Sequence, residues 1–303
     1  MKFDLKQVNS KKMSKILVTG ATGELGKLTL KALSSKTDGS DLTALVRDES
    51  KARELKNLGI KIRKGDYEDV ESLKNAFQGT DKLFFISASD IEKRLPQHKN
   101  VLEAAKESGI QHVVYTSFVR KNETDSSPIA ALGKAHIYTD DFLQNSGITY
   151  TILRHTLYME FAPYFMGGKK VVENKMVYLP AGEGKVAFLM RSDMAEIAAN
   201  ILTSEGHENK IYNISGEKAF SYGDIAQMIS KITGNEIKYV SPTVDEFVKT
   251  MQEAGVPEEM IGMSAGFAQA IDQGEFDTIN PGISKLLGKK PVTLEEFLAK
   301  VYA

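Results

Sequence analysis

Gly20, Gly23 and Gly26 fall three residues apart between a short apolar run and an amphipathic one, and no other feature constrains the fold of this chain so strongly. Ile16, Leu17 and Val18 read as a buried strand. Leu25, Leu28 and Leu33, with Lys27 and Lys31 opposite, read as the helix that follows. A turn this tight needs Gly20 for unusual backbone angles, Gly23 for close approach of the main chain to a pyrophosphate, and Gly26 for close packing of helix on strand. The amides and partial positive charge of the helix start would hold the phosphates of a dinucleotide. Ala21, Thr22, Glu24 and Leu25 complete the expected cofactor loop. A glycine triplet alone can be a plain turn; its place between strand and helix, at the head of an alternating pattern, gives it meaning.

The alternation continues. Leu42–Val46 reads as a second strand, and Arg47 and Asp48 follow it at the position that normally faces the adenosine ribose. A carboxylate there accepts the ribose hydroxyls and repels a 2′-phosphate, whereas arginine attracts that phosphate. Arg47 therefore points to NADPH, with NADH left possible by Asp48; the alternative is a solvated surface charge. Ile60–Ile62 reads as a third strand, after which Asp66 either meets the adenine amino group or caps a helix over Val70–Phe77.

Leu83–Ile86 is apolar enough for a central strand, and the small residues Ser87, Ala88 and Ser89 leave room for a cofactor or simply begin a loop. A helix from Pro96 to Glu107 and a strand over Val113–Tyr115 lead to Thr116 and Ser117. A helix over Ile129–Asn145 and a strand over Thr149–Leu153 then lead to Arg154 and His155. Such βα repetition predicts an α/β fold with a Rossmann-like, doubly wound parallel sheet. Later, short strand-like pieces between Val171 and Val186 give way to a helix at Met194–Leu202, a strand at Ile211–Ile214, a helix at Tyr222–Ile232, a strand near Glu236–Val240 and mostly helix over Val244–Gln273. The expected organisation is a flexible extension over residues 1–14, an NAD(P)-binding domain over 15–155, and a smaller α/β substrate lobe over 156–303 that returns some segments to the sheet.

Composition narrows the function. A net charge of -1 with 42% hydrophobic residues is ordinary for a soluble protein and offers no nucleic-acid or membrane surface. Met1–Ser14 lacks the apolar core of a secretory signal. Cysteine is absent, which excludes disulfides and thiolate metal sites and is compatible with a reducing cytoplasm. The histidines are scattered, so no metal site is expected; no flavin signal appears either, and a monomer or homodimer fits equally.

Val18-Thr19-Gly20-Ala21-Thr22-Gly23 with Leu25-Gly26, then Ala44–Arg47, Gly65–Tyr67 and Thr151–Arg154, resembles the NmrA-like atypical branch of the short-chain dehydrogenase/reductases. Within it the chain resembles the type 2 NAD(P)H:quinone oxidoreductases and triphenylmethane dye reductases. The superfamily carries a Tyr-x-x-x-Lys pair whose tyrosine protonates the substrate carbonyl. By alignment on that resemblance the lysine position falls on His136 and the tyrosine position on Leu132. The general acid is missing. An electron-poor quinone or cationic dye can accept hydride directly and be protonated later, so the resemblance implies direct hydride transfer from NADPH to such an acceptor. It equally implies a second possibility, a non-catalytic NADP(H)-binding redox sensor.

On the same resemblance His136 is the catalytic candidate, bonding the nicotinamide ribose or facing substrate with Asp140 to orient it, unless it is simply packed. Thr116 and Ser117 stand near the superfamily's serine. Arg154 and His155 occupy the loop that lines the nicotinamide end, where His155 replaces the subgroup's usual asparagine. Leu157, Tyr158 and Phe161 are the expected acceptor contacts. With Tyr164 and Phe165 these aromatics are spaced either as a stacking wall or as the buried face of a helix.

Overall fold

In the computed structural model, residues 14–303 are described. The extension expected over residues 1–14 therefore lies, Ser14 apart, outside the described residues. Among these, β1 (Ile16–Val18), α1 (Glu24–Ser34), β2 (Leu42–Val46), α2 (Arg53–Asn57), β3 (Lys61–Lys64) and α3 (Val70–Phe77) come first. β4 (Lys82–Phe85), α4 (Ile91–Glu107), β5 (His112–Phe118), α5 (Ala130–Asn145) and β6 (Thr149–His155) continue the alternation. Next come α6 (Phe161–Phe165), α7 (Lys170–Asn174), β7 (Met176–Tyr178), β8 (Lys185–Val186), α8 (Arg191–Thr203) and β9 (Lys210–Ile214). The chain closes with β10 (Phe220–Ser221), α9 (Tyr222–Thr233), β11 (Lys238–Val240), α10 (Val244–Glu253), α11 (Glu258–Asp272), α12 (Ile283–Leu287) and α13 (Leu294–Tyr302).

Seven strands form one parallel sheet in the order β3-β2-β1-β4-β5-β6-β9. Successive side chains of a strand point to opposite faces, so Ile16 and Val18 pack with Leu30 and Leu33 of α1 and with Met194 and Ile197 of α8. Leu17 points the other way, among Leu73, Phe77, Val101 and Leu102 from α3 and α4. Burial on both faces explains the unbroken apolar runs of the central strands. A further core gathers Leu157, Val177, Val186, Tyr222, Ile225, Ile271 and Leu298 around the short pairs β7 with β11 and β8 with β10.

Most boundaries shift by a few residues from expectation, and two differences have a clear local cause. α4 begins at Ile91 because Asp90 accepts the amides of Glu92 and Lys93, so Pro96 sits in the second turn and removes a single intrahelical bond. Residues 170–174 are helical where strand-like pieces were read, and Lys175 in the left-handed region ends that helix before β7.

Candidate active site

β1 and β4 are neighbours in the sheet although β2 and β3 intervene in sequence, so the chain leaves them in opposite directions and opens a crevice at their carboxyl ends. A cleft of about 630 Å³ occupies that position. It runs from the end of β2 towards the segment after β6, four strand steps away, or about 19 Å at the usual strand spacing.

The loop after β1 forms the floor. Gly20 has φ +57°, a conformation costly for any residue with a side chain. A Cβ on Gly26 would fall 2.3 Å from the Gly20 carbonyl oxygen, so the helix can approach the strand this closely only without one. Gly23 is the N-cap of α1 and no side chain among the described residues caps it, which leaves first-turn amides open to the cleft. Thr22, Glu24 and Leu25 line the cleft beside the glycines, whereas Ala21 is wholly buried beneath the loop.

At the β2 end Arg47 and Lys51 both line the cleft. Asp48 does not compete there, because its carboxylate accepts the Ser50 amide at 2.9 Å and the Ser50 hydroxyl at 2.6 Å. That pairing also holds its pKa below the ordinary carboxylate value. Two cations therefore face this end. Asp66 lines the cleft after β3 while the cap of α3 is Asp69, which accepts the Ser72 amide at 3.0 Å. The Asp66 carboxylate accepts the nearby Glu68 amide, at 3.0 Å.

Ser87, Ala88 and Ser89 form the opposite lip after β4 and are fastened from α4. The Ala88 amide donates to Nε2 of His98 at 3.1 Å, with Ser87 Oγ 3.2 Å from the same nitrogen. The proton then belongs on Nδ1, which donates to Thr139 Oγ1 at 2.9 Å, and the Thr139 hydroxyl in turn donates to the Ala135 carbonyl at 2.7 Å. Arg94 donates from Nε to Ala88 O at 2.6 Å and from an η nitrogen to Ser89 O at 3.2 Å. Burial, with Arg94 nearby, pushes His98 down to about 3, so it stays neutral and keeps its accepting nitrogen. Thr116 acts on the same lip from β5, accepting the Ser87 amide at 2.9 Å.

The far end is closed by Tyr158 and Arg191. Burial raises the Tyr158 phenol to about 12, so it remains protonated. Phe161 does not line the cleft but lies 5.6 Å from the Tyr158 ring and is about one-third exposed. Phe165 is buried and Tyr164 exposed, so this helix has both a core and an outer face; Leu157 belongs to the core.

Other expected site residues do not line the cleft. His136 is buried, and its Nδ1 pairs with the Tyr115 hydroxyl at 2.7 Å while its ring stacks on Phe118. Burial drives its pKa well below the usual histidine value. Asp140 does not orient it. Instead Asp140 Oδ2 pairs with Arg120 at 2.9 Å and with Arg154 at 3.1 Å, which commits Arg154 away from the cleft. Ser117 accepts from Arg120 at 3.3 Å. His155 is buried with neither ring nitrogen hydrogen-bonded to the described residues, and burial pushes it down to about 3.

Sequence reasoning passed over Lys51, Tyr67, Lys93, Gln97 and Arg191, all of which line the cleft. Lys51 follows Arg47 by four residues, and the same charge argument extends to it. Buried polar Arg94 and His98, four residues apart on one face of α4, carried a signal as polar groups on a packed side. Arg191 lies thirty-three residues beyond Tyr158 and had none.

Comparison with known proteins agrees with this fold. Quinone oxidoreductase 2 of Escherichia coli (strain K12) is 34% identical over 287 residues, 95% of this chain and 98% of that protein. An NAD(P)H azoreductase of Xenophilus azovorans is 30% identical, over 95% of this chain and 98% of its own. Among solved structures, the E. coli NADPH-dependent quinone oxidoreductase complexed with NADPH superposes with a TM-score of 0.86 at 34% identity, covering 95% of this chain and 100% of that one. Citrobacter sp. triphenylmethane reductase superposes with a TM-score of 0.87 at 34% identity, covering 95% and 99%. The NmrA-like family profile matches residues 12–298, and the chain belongs to the NmrA-like family.

Proposed function

We propose that this NmrA-like chain is an NADPH-dependent reductase that passes hydride directly to a quinone or a similar electron-poor aromatic. One observation carries the reading: a continuous cleft runs from the paired cations Arg47 and Lys51, past the uncapped start of α1, to Tyr158 and Arg191. The dinucleotide fits the residues present. The first-turn amides of α1 would hold its pyrophosphate, Arg47 and Lys51 its 2′-phosphate, and Asp66 its adenine amino group. The Ser87–Ser89 lip, fixed by His98, Arg94 and Thr116, would bound its nicotinamide half. When bound, NADPH supplies the hydride.

Hydride addition to a quinone gives a hydroquinone anion, and one proton from solvent completes the product. That acceptor needs no concerted proton donor, which suits a chain with Leu132 at the position where its superfamily keeps an acid. What the protein contributes is proximity and orientation. The tests are the loss of nicotinamide absorbance when purified protein and NADPH meet a panel of quinones and triphenylmethane dyes, and the affinity for NADPH. Turnover with at least one quinone is expected. Tight NADPH binding with no consumption by any acceptor would point to the redox-sensor alternative.

A further inference from the structure

Arg191 is the first residue of α8, and it reaches the cleft at the end opposite Arg47. Its guanidinium carbon lies 4.4 Å from the centroid of the Tyr158 ring and 5.8 Å from that of Phe161. Two aromatic faces therefore hold the planar cation in place, an arrangement favoured by the ring quadrupole. Glu160 is the neighbouring acid, but its carboxylate accepts the Arg191 peptide N–H, at 3.3 Å to each oxygen. The guanidinium makes no ion pair with the described residues. Lys93, another cation lining the cleft, is paired with Glu68 at 3.0 Å.

A guanidinium fixed by stacking keeps its N–H edge free and fits carboxylate or sulfonate oxygens two at a time. The same charge repels a cation brought against it. We propose that Arg191 selects aromatic acceptors bearing an anionic group, a carboxylate, sulfonate or ionised hydroxyl, over neutral and cationic ones. The inference rests on reading the cleft as a reductase site and names the charge class of its acceptor.

The test uses protein saturated with NADP+, so that binding is measured without turnover, and two redox-inert probes, naphthalene-2-sulfonate and 2-naphthol. Wild type should bind the sulfonate about ten- to a hundredfold more tightly than the naphthol, the range expected of a charge-assisted hydrogen bond. Arg191→Met should abolish that preference and Arg191→Lys restore part of it, while NADPH affinity stays as in wild type. In turnover, the ratio of kcat/KM for a sulfonated naphthoquinone to that for menadione should fall by a similar factor in Arg191→Met. Equal probe preference in wild type and Arg191→Met overturns the inference, and so does a loss of NADPH affinity, which would make Arg191 a cofactor clamp. Selective sulfonate binding by a wild type that reduces no quinone would uphold the inference and sink the reductase reading instead.

Discussion

At the scale of single residues, the pair Arg47-Asp48 shows what the sequence left open and what three dimensions decide. Their order along the chain could not say which of them faces the ribose. Ser50 takes the Asp48 carboxylate for a local turn, and Lys51 joins Arg47 in the cleft. Arg47→Asp should therefore lower NADPH affinity about ten- to a hundredfold, the worth of a charged hydrogen bond, and lower NADH affinity far less. Fluorescence titration with both nucleotides checks this, and equal losses would remove Arg47 from the account. His136 teaches the converse. The sequence offered it as a site residue, but its burial against Tyr115 and Phe118 depends on residues distant in sequence that periodicity does not reveal.

Among elements, α1 is the one whose start lines the cleft, and its fit is steric. The Cβ of an alanine at position 26 would press on backbone, the Gly20 carbonyl and Ala21 Cα, and backbone cannot swing aside. Gly26→Ala should cost about 1–3 kcal/mol of stability, as overpacking does, and should also weaken NADPH binding by moving the loop. Thermal melting with and without NADPH reads both effects. A variant that melts like wild type and gains the same protection from the nucleotide would contradict the packing argument.

α4 shows how helix starts mislead: proline is favoured at a first helical position, but Asp90 is the stronger cap and sets the start five residues earlier. The strands and helices of the first half were legible because buried parallel strands read as apolar runs and the glycines mark helix ends. Short β7, β8, β10 and β11 were hard to place, since two- and three-residue strands are defined by partners far along the chain.

For the whole molecule, buried neutral histidines link stability to pH. Burial, joined by Arg94, lowers His98 to about 3, and burial alone lowers His155 to about 3. His136 is lowered well below its ordinary value by burial. In the unfolded chain each returns to about 6.5, so below that pH the unfolded state binds more protons than the folded one. The stability these groups confer is complete above about pH 6.5 and is lost as pH falls towards about 3, at up to roughly 1.4 kcal/mol per pH unit for each. Urea midpoints should drop clearly between about pH 7.5 and about pH 5. A flat or rising midpoint would show that these side chains are protonated in the folded protein.

The topology also sets where the cleft lies: one parallel sheet supplies the crevice at β1 and β4, and the segments after β6 and before α8 close its far end with Tyr158 and Arg191. The crevice was readable from the βα repetition, whereas the meeting of Tyr158 with Arg191 was not. The most direct measurement is a single turnover: protein holding one equivalent of NADPH, with no flavin added, is mixed anaerobically with a naphthoquinone. The account predicts one NADP+ and one hydroquinone per site, slowed when the transferred hydrogen of NADPH is deuterium. NADPH that stays bound and unoxidised, or is oxidised only after flavin is added, would contradict it.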